Sequence, residues 1–229
     1  MLSFIVPAHN EEAHIQGCVR AIQAAAPGAQ ILVVADACSD QTAAKARELG
    51  AEVLEVEHRH IAATRNAGGR AARGEFLFFV DGDTQVTRSV VEAATRQMEK
   101  GVAGGGALFR FDRPVPFYAI LVEKAAQFFC LLSQMSGGCI LYCSRQTFDR
   151  LEGFSTELFA GEELDFAHRL KKIGRFRVVP HAVITSGRKI RLYSGWEILK
   201  ILWRLILKGP GALQNRQGLE LWYERRTEV

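Results

Sequence analysis

The first hundred residues alternate between short apolar runs and longer segments whose apolar residues recur at helical spacing. The run Leu2–Val6 is continuous and stops at Pro7, which is typical of a strand buried on both faces. After it, apolar residues recur at intervals of three and four over 15–22, so one face of a helix is apolar. We expect this helix to begin at Glu11 with Asn10 as its N-cap.

The same alternation repeats along the rest of this half and predicts a largely parallel sheet with helices on both faces. After residue 83 the pattern is looser, and the elements are assigned from apolar periodicity and from Gly and Pro positions. The predicted strands are Leu2–Val6, Ile31–Val34, Val53–Val56, Phe76–Val80, Gly104–Phe111, Gly138–Cys143 and Phe176–Val179. The predicted helices are the one from Glu11, then Thr42–Leu49, Ile61–Arg73, Val90–Lys100, Phe117–Ser133, Ser144–Leu151, Glu162–Ile173, Trp196–Leu207 and Leu213–Trp222.

Polar residues cluster where three of these strands end. His9-Asn10-Glu11 follows the first strand, Asp36 the second and Asp81-Gly82-Asp83 the fourth. In open α/β sheets, ligands bind beyond the carboxyl ends of the strands. We therefore expect these side chains to converge on one crevice.

The composition fits one sizeable α/β domain, because 229 residues with 48% hydrophobic residues can bury a full core. A net charge of +4 without a Lys/Arg run does not indicate nucleic-acid binding. The five cysteines have no spacing typical of a disulfide framework, so we expect reduced thiols. The N-terminus is predicted to be a strand rather than a signal peptide, and we expect a cytoplasmic protein.

The pair Asp81 and Asp83, separated by one glycine, offers two carboxylates to a hard divalent cation such as Mg²⁺ or Mn²⁺. By itself the motif is weak, because Asp-Gly-Asp also occurs in ordinary turns. A set of further motifs gives it context. In chain order these are Ile5-Val6-Pro7-Ala8-His9-Asn10-Glu11-Glu12, Val33-Val34-Ala35-Asp36, Arg65-Asn66-Ala67-Gly68, Gly74-Glu75-Phe76 and Gly161-Glu162-Glu163-Leu164-Asp165.

Together these motifs resemble the family 2 glycosyltransferases of the GT-A fold, the large inverting group, over about residues 2–180. The resemblance implies a mixed, mostly parallel sheet flanked by helices, with a Rossmann-like nucleotide-binding half. Residues 1–190 would form the glycosyltransferase domain, with 1–100 as the nucleotide-sugar-binding half and 101–190 as the acceptor half. Residues 191–229 would form a C-terminal helical appendage.

The resemblance also implies which residues bind the nucleotide. Pro7, Ala8 and His9 would line the pocket, with His9 where the family has a base-stacking aromatic residue. Glu11 would hold the ribose. Asp36 corresponds to the second aspartate of the family's Asp-Asp-Gly-Ser motif, which pairs with the uracil imide. Ala35 and Ala37 replace the first aspartate and the glycine, a departure that weakens the assignment of uridine.

Further roles concern the diphosphate, the sugar and the metal. By resemblance, Arg65 faces the diphosphate and Asp83 is a ligand of Mn²⁺ or Mg²⁺. Asp81 acts through a water or holds the donor sugar, and Gly82 lies beside it in the nucleotide-sugar site. His181 is a second candidate metal ligand, and an ordinary loop histidine is the equal alternative. Arg188 is the candidate for clamping the diphosphate from a nearby loop, because its planar fork can bridge two phosphates.

Glu163 corresponds to the family's catalytic base, which takes the acceptor proton as the acceptor oxygen attacks the anomeric carbon. The implied function is transfer of a sugar from a nucleotide-diphosphate donor, with UDP favoured, to an unidentified acceptor with inversion. Three alternatives remain open from the sequence. They are a nucleotidyltransferase, which normally has a Gly-rich phosphate loop absent from Pro7–Glu12; a non-catalytic nucleotide-sugar-binding scaffold; and a retaining transferase.

Two apolar helical segments have no role in this scheme. Trp196–Lys208 combines an apolar face with basic flanks, and Phe117–Ser133 is apolar over most of its length. Such segments pack on the domain, form a homodimer or contact an anionic membrane peripherally, and the first two are more common. A lipid-linked acceptor, as in cell-envelope or glycolipid synthesis, would favour membrane contact.

Overall fold

The computed structural model describes residues 1–136 and 138–192. The strands in these ranges are β1 (Leu2–Ala8), β2 (Gln30–Asp36), β3 (Glu52–Val56), β4 (Phe76–Val80), β5 (Thr84–Gln85), β6 (Gly104–Phe111), β7 (Ile140–Ser144) and β8 (Phe176–Thr185). The helices are α1 (Ile15–Ala25), α2 (Thr42–Glu48), α3 (Ile61–Ala71), α4 (Arg88–Glu99), α5 (Phe117–Ser133), α6 (Arg145–Arg150), α7 (Glu162–Ile173) and α8 (Arg188–Leu192). The two predicted helices after residue 195 lie outside the described residues.

The described strands form one mixed sheet in the order β3-β2-β1-β4-β7-β6-β8-β5. The first four strands of the chain pair in parallel, as the alternating pattern predicts. β7 is antiparallel to both β4 and β6, and β8 is parallel to β6. β7 therefore joins the first half of the chain to the second within a single sheet.

Both faces of the sheet are covered, which explains the nearly continuous apolar runs. Phe4 and Phe78 point to the face covered by α1 and α4, while Ile5 and Leu77 point to the face covered by α3, α6 and α7. Close packing of α3 on this second face requires Gly68. A Cβ atom at that position would lie 2.4 Å from Cγ2 of Ile5.

The start of α1 differs from the prediction. The helix begins at Ile15 rather than Glu11, and Asn10 has a positive φ of 56° within the preceding turn. The Asn10 side chain accepts a hydrogen bond from the backbone N–H of Ser39 at 2.7 Å instead of capping the helix. The asparagine thus closes the turn between two strand ends, and its assignment as the N-cap is wrong.

β8 is longer than predicted, because it continues past Val179 to Thr185. The register against β6 shifts there, with Ala107 opposite Val179 and Leu108 opposite Ala182. Pro180 and His181 form the resulting irregularity, where a proline does not need to donate a ladder hydrogen bond. The short elements β5 and α8 are further additions that the sequence pattern did not predict. None of the described helices combines the length and apolarity needed to cross a bilayer.

Candidate functional site

The polar ends of β1, β2 and β4 meet at one edge of the sheet, as predicted. A Cβ atom at Gly82 would lie 3.4 Å from Cγ of Glu11 and 3.6 Å from Cβ of Ala8. The same atom would be 3.4 Å from the carbonyl oxygen of Pro7, so the backbone approaches closely at Gly82. His9 Nδ1 lies 2.6 Å from the carbonyl oxygen of Asp36. The structure therefore brings the predicted nucleotide-pocket residues together.

The carboxylate of Asp36 is directed into the protein and is 4% exposed. It accepts hydrogen bonds from the backbone N–H groups of Arg59 and His60 at 2.8 and 3.0 Å. The Thr64 hydroxyl donates a third bond at 2.6 Å. Asp36 thus anchors the start of α3 to the end of β2, and its pairing with a uracil imide stays a prediction.

Glu11 and Arg188 form an ion pair, with Nη2 of Arg188 donating to Oε1 of Glu11 at 3.1 Å. Oε2 of Glu11 is buried and has no hydrogen-bond partner among the described residues. The expected ribose-binding carboxylate and the expected diphosphate-binding arginine are therefore neighbours. A ribose hydroxyl is the type of donor that the unpaired oxygen requires.

Asp112 holds the segment that carries Arg188. Its Oδ1 accepts hydrogen bonds from the Gly187 N–H at 2.7 Å and from Nη1 of Arg191 at 2.8 Å. Partial burial opposes ionisation, but these two donors keep the pKa of Asp112 below its ordinary value. Asp112 was not predicted from the sequence, because its partners lie more than seventy residues later and no motif surrounds it.

Arg65 lies at the centre of the site but is 4% exposed. One Nη nitrogen donates to Oδ1 of Asp81 at 2.8 Å, and the other donates to Oε1 of Glu162. The guanidinium also lies over the Phe154 ring, 5.4 Å from its centroid. Arg65 therefore connects the end of β4 to the start of α7, whereas the sequence predicted that it faces the diphosphate. Its partner Glu162 had no predicted role.

Glu163 follows Glu162 at the N-terminal end of α7 and is half-buried. Burial and the charge of Glu162 raise the pKa of Glu163 to about 7. A Cβ atom at Gly138 would lie 3.0 Å from Oε1 of Glu163, so a larger residue there would crowd this carboxylate. The result is a carboxyl group whose protonation changes near neutral pH, as a general base requires.

Asp81 and Asp83 place two negative charges beside each other at the end of β4. Burial raises the pKa of Asp81 to about 6, with Arg65 opposing the shift and Asp83 adding to it. Oδ1 of Asp83 lies 3.4 Å from the hydroxyls of both Thr84 and Thr185. A cavity of about 90 Å³ adjoins Asp83 and is lined in part by His14 and Asp112.

His181 lies in the irregularity of β8, four residues before Thr185, the β8 residue beside Asp83. Its role as a second metal ligand stays a prediction. Within residues 1–136 and 138–192, no three His, Cys, Asp or Glu side chains form a preassembled metal site.

Comparison with known proteins supports the predicted family. Residues 3–142 match the family model described as glycosyl transferase family 2. The uncharacterized glycosyltransferase EpsJ of Bacillus subtilis (strain 168) is 28% identical over 106 residues, which are 44% of this chain and 31% of EpsJ. The chain thus spans about a third of the length of that relative.

Solved structures share the fold. The mannosyltransferase PcManGT from Pyrobaculum calidifontis, in complex with GDP-Man and Mn²⁺, superposes with a TM-score of 0.67 at 21% identity, covering 87% of this chain and 59% of PcManGT. Residues 1–349 of S. aureus TarS, in complex with UDP-GlcNAc, give a TM-score of 0.62 at 21% identity, covering 82% of this chain and 58% of that one. At such identities the likeness establishes the fold, and the predicted GT-A architecture is confirmed.

Proposed function

Because the chain belongs to glycosyl transferase family 2, we propose that it transfers a glycosyl group from a nucleoside-diphosphate sugar to an acceptor hydroxyl with inversion at the anomeric carbon. The observation that carries this proposal is the double ion pair of Arg65. Through it, the donor-side aspartate Asp81 and the Glu162-Glu163 pair belong to one charge cluster around the buried Arg65. A base for the acceptor is thereby held next to the end of β4, where the donor sugar would lie.

The donor would bind along the carboxyl ends of β1, β2 and β4. Oε2 of Glu11 offers an acceptor to a ribose hydroxyl, because it is buried without a partner among the described residues. Arg188 would exchange its contact with Glu11 for the diphosphate, whose charge is higher. Pro7, Ala8 and His9 would contact the base. UDP is the favoured nucleotide, by family resemblance and because TarS binds UDP-GlcNAc.

The donor-binding site fits a divalent cation held by Asp83, with Asp81 contacting it through water or holding the donor sugar. The fit rests on the charge distribution, since Asp83 raises the cost of ionising Asp81 and a cation between them would relieve it. Oxygen ligands suit Mg²⁺ and Mn²⁺ equally, and PcManGT contains Mn²⁺. When bound, the metal would neutralise charge that develops on the leaving diphosphate.

Glu163 would act as the general base of a single displacement. Its carboxylate takes the proton of the acceptor hydroxyl while the acceptor oxygen forms a bond to the anomeric carbon. The bond between that carbon and the diphosphate oxygen breaks, and the diphosphate leaves with the electron pair. Attack opposite the leaving group inverts the configuration. A pKa of about 7 keeps a large fraction of Glu163 ionised and still basic enough to accept the proton.

Calorimetric titration with UDP, GDP and their sugars, each with and without Mn²⁺, tests the donor site. We expect one nucleotide to bind more tightly with Mn²⁺ than without. Asp83→Asn should abolish this metal effect. Asp149→Asn, which removes a carboxylate that is 61% exposed on α6, is the matched control and should leave it intact.

Turnover is tested by nucleotide release from the sugar donor, with water as the acceptor. Wild-type protein should release nucleotide and Glu163→Gln should not, while both bind the donor equally. Binding without turnover in the wild type would instead support a non-catalytic nucleotide-sugar scaffold. Proton NMR of a transferred sugar would decide between inversion and retention.

A further inference from the structure

The solvent-facing side of α5 is almost entirely apolar. Some of its large apolar side chains are about three-quarters exposed. Lys124 is the one charged residue on this side of the helix. These residues are Phe117 at 74%, Tyr118 at 44%, Leu121 at 57%, Val122 at 59%, Phe128 at 70%, Phe129 at 57%, Leu131 at 37% and Leu132 at 75%.

The polar contacts of α5 point inward, which reverses the usual arrangement of a surface helix. Its buried strip contains Glu123, whose carboxylate accepts bonds from the Phe111 N–H at 2.8 Å and from the Arg113 guanidinium at 3.2 Å. Gln127 donates to the Phe109 carbonyl at 2.7 Å. These bonds fix the helix on the sheet with its apolar side outward, so the exposure results from specific anchoring.

The patch is large enough to need a partner. Eight side chains, exposed by roughly half on average, expose on the order of 700 Å² of apolar surface. Monomeric soluble proteins rarely expose contiguous apolar patches above about 300–600 Å², and larger ones mark contacts with proteins or membranes. The identity of the partner must therefore come from what surrounds the patch.

Cations surround the patch. Arg113 precedes α5 and its side chain is 43% exposed. Lys124 lies midway along the helix, and Lys171 of α7 donates to the Ser133 carbonyl at the far end. The only acidic residue of α5 is the buried Glu123. Apolar side chains bordered by cations complement a bilayer with anionic headgroups.

The C-terminal end of the patch lies close along the chain to the candidate active site. α5 ends at Ser133, and four residues, at most about 14 Å of chain, lead from Gln134 to Gly138. Gly138 packs against the Glu163 carboxylate. Leu164, the residue after Glu163, is itself 44% exposed. An acceptor that reaches Glu163 from this side would therefore pass along apolar surface.

We propose that the exposed side of α5 docks on the surface of an anionic bilayer and that the acceptor hydroxyl is presented to Glu163 by a lipid in that bilayer. The second half of this proposal rests on the proposed function, and the docking does not. Docking places the apolar side chains of α5 among the acyl chains and Lys124 and Lys171 at the phosphates, while Arg113 stays paired with Glu123. Glu163 of α7, which lies against Gly138 five residues after the end of α5, then faces the membrane surface.

Vesicle flotation of the full chain without substrate tests the docking. We expect binding to vesicles of phosphatidylcholine and phosphatidylglycerol at 3:1 and much weaker binding to phosphatidylcholine alone. The double variant Phe128→Glu/Leu132→Glu should lower the partition coefficient at least about tenfold. The matched control Ala24→Glu/Ala44→Glu adds the same charge at exposed positions of α1 and α2, on the opposite side of the sheet, and should bind as wild type.

Three results would overturn the proposal. One is wild-type protein that does not float with anionic vesicles; if size-exclusion chromatography then shows a dimer that the α5 variant dissociates, the partner is a second copy. Another is binding that persists in the α5 variant, which assigns the contact to other residues. The last is equal loss in the control, which indicates net charge alone. Donor binding by calorimetry verifies folding of each variant and tests the proposed function independently.

Discussion

Replacing Arg65 with methionine tests how strongly the site depends on its buried charges. Methionine has a similar length but leaves the Asp81 and Glu162 carboxylates without their cation. The side chains of Arg65 and Glu162 are 5% and 4% exposed, so water cannot replace the lost contacts. Removing one partner of a buried ion pair costs about 3–5 kcal/mol, because the remaining charge stays buried.

The expected consequence is a lower melting temperature, on the order of 10 °C for a domain of this size. The loss in free energy of unfolding caused by Arg65→Met should also depend on pH. Burial raises the pKa of Asp81 to about 6 although Arg65 opposes the shift, so without Arg65 an ionised Asp81 costs more free energy in the folded protein at neutral pH. As the pH falls, protonation removes the charge, so the difference between Arg65→Met and wild type should shrink.

Urea unfolding followed by circular dichroism at pH 5 and pH 8 measures both effects. The matched control is Arg73→Met, which removes an arginine paired with Glu52 on the surface, where the two side chains are 61% and 46% exposed. We expect little change there, since exposed ion pairs contribute little. A loss for Arg65→Met no larger than that of the control, or one independent of pH, would refute the reasoning.

Other consequences of the site are also measurable. Glu163 has a pKa of about 7 and is active in its ionised form, so kcat for nucleotide release should rise from pH 6 to pH 8 and then level off. Glu163→Gln should lower kcat by about 10²–10⁴, and retained activity would exclude the base role. Asp112→Ala should raise the donor KM about tenfold with a smaller effect on kcat, because it releases the segment that carries Arg188; an unchanged KM would contradict this. Gly68→Ala should destabilise the fold by about 1–3 kcal/mol in urea unfolding, because its Cβ would overlap Ile5.

The central strands could be predicted because burial on both faces leaves a clear pattern. Leu2–Val6 and Phe76–Val80 are apolar at every position or nearly so, and both form strands. The second half of β8 could not be predicted in the same way. The prediction ended this strand at Val179, and the continuation depends on pairing with β6 and on the contact of Thr185 with Thr84, 101 residues earlier in the chain.

The candidate site was predictable in its location and less so in its internal pairing. Parallel topology alone places His9, Asp36 and Asp81 at one edge, and the structure agrees. The sequence cannot show that Arg65 pairs with Glu162, which is 97 residues away. Nor can it show that His181 falls at an irregularity, because the register shift is set by strand pairing across the sheet.

The position of β7 limits how the two halves of the chain can be exchanged between relatives. β7 comes from the second half, yet it pairs with β4 through Val80 and Ile140 and with β6 through Gly106 and Leu141. Swapping residues 101–190 for those of another family member would replace β7, and with it the β4–β7 pairing at the centre of the sheet. It would also replace part of the hydrophobic core on each face of the sheet. The two halves of this chain are thus not separable folding units, and recombination that preserves folding must cut in the loops rather than between the halves.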